Sequence, residues 1–266
     1  MSLQFVQNRV PIRIFGKDAQ KMLDAILSAK IEQINDKPVY WALLSPQGKI
    51  QAQGLAIFFD NAFYLDVHIS IKDAFLKRLK LYKMRSDVEI TDLSDTHKIG
   101  FSKNKPNLKI SFKDPREENL GYQSIAPIKE TSNWQNDNDY SSIHIKAGIA
   151  ELGEDFEPNE YFPHDIGMDL LNGVDFKKGC YIGQEIVSRT QHKGKIRRRP
   201  VIVSNINGQK GDPLEIDKKQ IGVLGQVINN QAIGFVRLDK ISNLTDINVN
   251  DKPVQLALPD WANYHL

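Results

Sequence analysis

KKGCYIGQEIVSR, Lys177 to Arg189, contains the only cysteine of a 266-residue chain, with a glycine on its N-terminal side and another three residues later. Glycine lets the backbone take a positive φ or approach another group closely, so Gly179 and Gly183 mark two such points. From Gln184 to Gln191 the pattern is helical, which places Cys180 just before a helix N-terminus. Free N–H groups and the helix dipole there favour a thiolate, and Lys178 and Arg189 add positive potential. The alternative is a small apolar residue packed behind a turn, since no CxxC or paired ligand accompanies it. His192 lies twelve residues on and His164 sixteen before, and neither spacing marks a metal site. Gln184-Glu185 presents donor and acceptor groups that match the edge of an amino-substituted heterocycle, or else is an ordinary first helical turn.

Upstream, the apolar run Ile12 to Phe15 is followed by Gly16-Lys17-Asp18, a turn with a capping residue. Ala19, Met22, Leu23, Ile26 and Leu27 then share one face of a helix. Strand-like runs cover Val39 to Leu44, Ile50 to Phe59 and Phe63 to Ile69, separated by Ser45-Pro46-Gln47-Gly48 and Asp60-Asn61-Ala62, and read as a meander. A helix over Ile71 to Met84 aligns Phe75, Leu79 and Tyr82, and a strand follows from Val88 to Leu93. Thr131 to Asp139 reads as a loop, and Tyr140 to Ala150 as a helix with Ile143, Ala147 and Ala150 on one face. Helices mixed with antiparallel strands make this an α+β region.

Downstream the composition changes. HKGKIRRRP, His192 to Pro200, places Lys193, Lys195, Arg197, Arg198 and Arg199 within seven positions, either a solvated linker or a site for phosphates or carboxylates. Alternating runs at Val201 to Asn205, Gly222 to Ile228, Ala232 to Leu238 and Pro253 to Leu258 predict a small barrel or sandwich. A boundary near Lys195 divides the chain into residues 1–195 and 196–266.

With 35 basic against 33 acidic residues, bulk charge gives no reason to expect a nucleic-acid binder, and any basic surface is local. One cysteine excludes an intramolecular disulfide, and MSLQFVQNRVPIRIFG lacks the layout of a secretory signal, so the expected compartment is the cytoplasm. The Asn243-Leu244-Thr245 sequon carries no meaning without secretion. No run approaches the roughly eighteen apolar residues that span a bilayer, so no membrane association is expected.

The block KGCYIGQE, Lys178 to Glu185 with Tyr181 inside it, resembles the signature of the YgfZ-type folate-binding proteins. These are relatives of the glycine-cleavage T-protein, an aminomethyltransferase, and of the mitochondrial factor that matures 4Fe–4S enzymes. Tyr161 to Asp165 with Met168, Leu171, Gly173, Val174 and Phe176, the segment Ile145 to Ile149, and LLSPQGKI at Leu44 to Ile50 are similar to the same family.

The resemblance implies a GcvT-like ring of three units, a two-part α+β region followed by a small C-terminal β-barrel, around a hole that admits tetrahydrofolate. It implies an accessory protein for assembly or repair of iron-sulfur enzymes, including tRNA-modifying ones, with reduced folate as cofactor and iron-sulfur client or assembly proteins as partners. Cys180 becomes the functional thiol, able at most to share a cluster with ligands from elsewhere. Folate contacts fall to Tyr140, where some members have a tryptophan, to Gln184-Glu185, and to Arg197 and Arg198. A second such tryptophan falls close to Arg9. The alternative is a tetrahydrofolate-dependent aminomethyl or methyl transferase, with tRNA as a candidate substrate. Lys49-Ile50-Gln51-Ala52 has no carboxylate where the T-protein has a catalytic aspartate, and loss of general acid/base help removes roughly a hundred- to ten-thousand-fold in rate. A nucleic-acid-binding module rests on the basic run alone.

Overall fold

The computed structural model describes residues 3–136, 139–241 and 246–265, so the Asn243-Leu244-Thr245 sequon lies outside the described residues. In chain order the first elements are β1 (Gln4–Phe5), β2 (Arg9–Phe15), α1 (Ala19–Ile26), β3 (Val39–Leu44), β4 (Ile50–Phe59) and β5 (Ala62–His68). Then come α2 (Lys72–Lys83), β6 (Glu89–Asp92), β7 (His97–Ser102), β8 (Ile110–Lys113), β9 (Tyr122–Pro127) and α3 (Tyr140–Ala147). The last group is α4 (Gln184–Lys193), β10 (Arg198–Ser204), β11 (Pro213–Ile216), β12 (Lys219–Leu224), β13 (Gln231–Arg237), β14 (Ile247–Val249), β15 (Lys252–Pro253) and β16 (Gln255–Ala257).

The apolar alternation of these strands closes three sheets. The predicted meander forms β3-β4-β5, and β2 pairs with β5 from Arg9 opposite His68 to Phe15 opposite Ala62, giving the order β3-β4-β5-β2-β6. A second sheet runs β1-β7-β9-β8. The third, β15-β14-β11-β12-β13-β10-β16, is the nearly closed C-terminal barrel. The α+β reading with an all-β C-terminal part therefore describes the fold. One core joins the first two sheets and the helices, with Trp41 stacked on Phe75 of α2 at 5.2 Å between ring centroids. A second core fills the barrel around Val201, Leu214, Val236 and Ile247.

Three local expectations need correction. Asp18 makes no side-chain cap to α1; its carboxylate instead accepts from the backbone N–H of Asp87 at 2.8 Å. The helix at Tyr140 stops at Ala147, because Gly148 takes the left-handed conformation, and the residues it buries are Tyr140, His144 and Ile145 rather than an Ile143 stripe. In the barrel, β11 and β14 are strands that the sequence reading passed over, each only three or four residues long.

Candidate functional site

The Cys180 loop is held at three points. Asp175 accepts from the backbone N–H of Lys177 at 2.8 Å and of Lys178 at 3.0 Å, folding the chain back. Lys178 reaches under the loop and donates to the carbonyls of Leu27 and Ala29 at 2.8 and 2.9 Å, just past the end of α1. Burial pushes the Lys178 ammonium down to about 8, against the upward pull of Asp24 and Asp175. Tyr181 is buried, and Gln184 donates to the Lys178 carbonyl at 3.4 Å. Cys180 itself is exposed at the rim of this frame.

The two glycines play different parts. Gly183 has φ +79, and a Cβ there would meet the Ser45 carbonyl oxygen at 2.6 Å, so the loop packs on the Ser45 to Gly48 turn only because that side chain is absent. Gly179 has no positive φ and nothing within 4 Å of a built Cβ, which corrects the expectation of a close approach there. Gly183→Ala is therefore expected to destabilise the protein by about 2–3 kcal/mol, read as a lower urea midpoint with unchanged slope, while Gly179→Ala stays within about 0.5 kcal/mol. Equal midpoints for the two variants would contradict this assignment.

Neither cation predicted to bear on the thiol serves it alone. Lys178 is engaged by the carbonyls near the end of α1, and Arg189 stands exposed on the following helix. Among the described residues, no three His, Cys, Asp or Glu side chains lie close enough to hold a metal. Cys180 opens onto a recess of about 530 Å³ lined by Asp24, Lys30, Asp175, Lys177, Lys178 and Gly179. A larger recess of about 610 Å³ shares Lys30, Asp175 and Lys177 with it and continues to Lys37, Tyr40 and Phe176.

None of the predicted folate contacts lines either of these two recesses. The Tyr140 ring is buried, packed 4.0 Å from His144 and edge-on to Phe101, because α3 turns that face into the interior. Gln184 and Glu185 begin α4, and none of Tyr140, Gln184 or Glu185 lines the recess at Cys180. The basic run is divided by strand alternation at the start of β10. Arg199 turns inward and donates to Asp169 at 2.6 and 2.8 Å and to the His164 carbonyl at 2.8 Å. Arg198 lies 5.1 Å over the Tyr161 ring, and Arg197 is exposed. At the position of the missing carboxylate, the Gln51 amide donates to the Asn159 side chain at 3.1 Å.

Sequence reasoning missed a buried charge network that bridges the first two sheets. Arg9 of β2 donates to Asp66 of β5 and to Glu151, and Arg116 donates to Glu151 and, at 2.6 Å, to Asp114. Gln123 of β9 donates to Asp66 at 2.8 Å. His144 receives an Arg116 N–H at Nε2, 2.8 Å, and donates from Nδ1 to the Tyr140 carbonyl at 2.7 Å. Burial by itself would raise the Glu151 carboxyl, but Arg9 and Arg116 outweigh it and hold the group down at about 2. Arg9 thus stands near a predicted ring position but is fully committed to ion pairs. The only sequence signal was the pairing of arginines and acids with apolar neighbours.

Comparison with known proteins places the architecture first. The fold is that of the glycine cleavage system aminomethyltransferase T from Bartonella henselae, with a TM-score of 0.73 over 96% of this chain and 84% of that one at 14% identity. Residues 196–264 match the family described as CAF17, C-terminal beta-barrel domain. Over 229 residues the chain is 28% identical to the iron-sulfur cluster assembly factor IBA57 homolog, mitochondrial, of Mycosarcoma maydis, covering 75% of this chain and 56% of that protein. It is 26% identical over 230 residues to the mouse iron-sulfur cluster assembly factor IBA57, mitochondrial, covering 73% and 63%. The chain thus spans a little more than half the length of these curated relatives. Their names are those of mitochondrial proteins and do not support the cytoplasmic expectation. Among the described residues, no helix is long and apolar enough to cross a membrane.

Proposed function

We propose that this chain is an iron-sulfur cluster assembly factor whose working group is the Cys180 thiol. The observation that carries this reading is an exposed thiol, the chain's one cysteine, on a loop fastened at Asp175, Lys178 and Gly183. Such a thiol can give one ligand to a cluster whose remaining ligands come from another chain, and the fastening fixes where that cluster sits. Similarity to proteins named as iron-sulfur cluster assembly factors supports the same role.

Reduced folate is the ligand implied by the resemblance to the folate-binding family. The recess of about 610 Å³ has the size of a small-molecule site, and it combines the half-buried ring of Phe176 with Lys177, while Lys30 and Lys37 in the same lining pair with Glu32. Those groups suit a flat heterocycle carrying carboxylates. A transferase role finds support in the likeness of fold, but the Gln51–Asn159 amide pair offers no acid or base to the folate nitrogen.

Two measurements test the proposal together. Iron-sulfur enzyme activities in cells lacking the gene should fall and return with the wild-type chain; unchanged activities would overturn the assembly role. Calorimetry with tetrahydrofolate should show binding that Phe176→Ala weakens about tenfold and Tyr140→Phe leaves alone. The opposite ranking would return the folate to the interior beside Tyr140.

A further inference from the structure

The two most exposed large apolar side chains among those described stand together at the end of α2: Leu81 is 66% exposed and Met84 83%. Met84 also holds φ at +45, an uncommon conformation for an unbranched apolar residue, which turns the chain away from α2 at this point. Beside it a groove of about 830 Å³ runs between α1 and the end of α2, lined by Met22, Ala25, Ile26, Tyr82, Met84 and Ile182. Ile182 is two residues from Cys180, and α1 contributes Asp24 to the thiol's recess as well as Ala25 to the groove. Groove and thiol therefore lie on adjoining sides of one helix.

The rim is cationic. Lys21 and Arg85 edge the groove, with Asp18 the one acid in its lining. Lys77, Lys80 and Lys83 continue the positive charge along α2. The neighbouring ion pairs are Lys17 with Asp87 and Lys72 with Asp92, and these five cations take part in none among the described residues.

We propose that this groove seats an acidic segment of a protein partner that presents a bulky apolar side chain, and that docking there brings the partner's cluster ligands to Cys180. The proposal rests on the assembly-factor reading above, and it adds where the partner binds and what its surface must be. A concave apolar floor with an unpaired cationic rim is complementary to an apolar anchor flanked by carboxylates. A membrane surface calls for an apolar stripe along a whole helix, whereas the exposed large apolar side chains of α2 and the residue that ends it are Leu81 and Met84 alone. A second copy of this chain would set cations against cations.

The test is photo-cross-linking in cells from benzoylphenylalanine placed at the exposed Ala25 of the full chain, with the adduct identified by mass spectrometry. The expected adduct is a protein cross-linked through a segment rich in Asp and Glu that also carries an apolar residue. That protein, purified, should bind Met84→Asp about tenfold more weakly than wild type. Lys21→Glu with Arg85→Glu should weaken it at low salt, by a factor that shrinks as salt rises. Adducts with a second copy, a neutral or basic segment or lipid overturn the proposal, as does Met84-dependent sedimentation with phosphatidylserine vesicles or the lack of any specific adduct. Rescue of iron-sulfur enzymes separates the two readings. If Met84→Asp rescues fully while Cys180→Ser does not, docking at this groove is wrong and the assembly role stands; if Cys180→Ser rescues fully, the thiol reading on which the proposal rests is wrong.

Discussion

Arg9→Met is expected to destabilise the protein by about 3–5 kcal/mol, a large part of the roughly 5–15 kcal/mol available to a folded domain. The size follows from the charge count of the buried network. Asp66, Asp114 and Glu151 face Arg9 and Arg116, and His144 accepts from Arg116 rather than offering Nε2–H to a carboxylate. Carboxylates are already in excess, so removing Arg9 leaves Asp66 with only the neutral donors Gln123 and the Leu55 N–H, and Glu151 with Arg116 as its one cationic partner. Glu151→Gln should cost only about 1–2 kcal/mol, because Arg9 keeps Asp66 and Arg116 keeps Asp114.

The pH dependence has a definite sign. In the wild type, Glu151 is lowered from 4.5 to about 2, so its contribution is present above the unfolded value and lost as pH falls through about 2. Without Arg9, burial governs Glu151 and raises it, so the variant gains stability as acid neutralises the stranded carboxyl. The gap between Arg9→Met and wild type should therefore narrow from neutral pH towards about pH 4. Urea midpoints across that range measure it. A constant gap, or a larger loss for Glu151→Gln than for Arg9→Met, would show that the network's charge balance is not what holds the sheets together.

What could be read from the sequence, and what could not, divides along the range of the interactions. The strand runs at Val39 and Ile50 begin and end where β3 and β4 do, because alternation and the Ser45 to Gly48 turn are local signals. The Cys180 motif stands out as an unusual word, but Gly183's positive φ belongs to its packing on the Ser45 to Gly48 turn, since a residue just before a helix is ordinarily extended. The fastening of that loop was invisible: Lys178 contacts Leu27 and Ala29 some 150 residues away in sequence, |i−j| 151 and 149. Arg199 looked like one more cation in a run until strand geometry turned it towards Asp169. Tyr140 reads as a stacking platform by likeness of position, whereas its ring is closed in by Phe101 from β7 together with His144 one turn along its own helix and Glu151 shortly after it. Composition likewise carries no trace of the groove at Met84, since exposure of an apolar side chain is decided by what fails to cover it.

Cys180→Ser should remove the ability of the chain to sustain iron-sulfur enzymes, down to the level of cells without the gene, while its urea midpoint stays within about 0.5 kcal/mol of wild type. The separation of the two effects comes from exposure. The thiol makes no buried contact, so replacing sulfur by oxygen leaves the fastening at Asp175, Lys178 and Gly183 intact. A hydroxyl, however, is a poor ligand for iron in a cluster, and it forms no mixed disulfide. The exposed sulfur should also be fully alkylated by iodoacetamide in the native protein, and the alkylated chain should behave like Cys180→Ser. Gly179→Ala is the control, because it alters the neighbouring backbone position without meeting any atom within 4 Å and should rescue as wild type does. Should Cys180→Ser sustain the enzymes while Gly183→Ala does not, the motif acts through the shape of its loop and the Gln184-Glu185 pair rather than through sulfur. The Ser45 to Gly48 turn, on which that loop is seated, would then be the place to look for what it recognises.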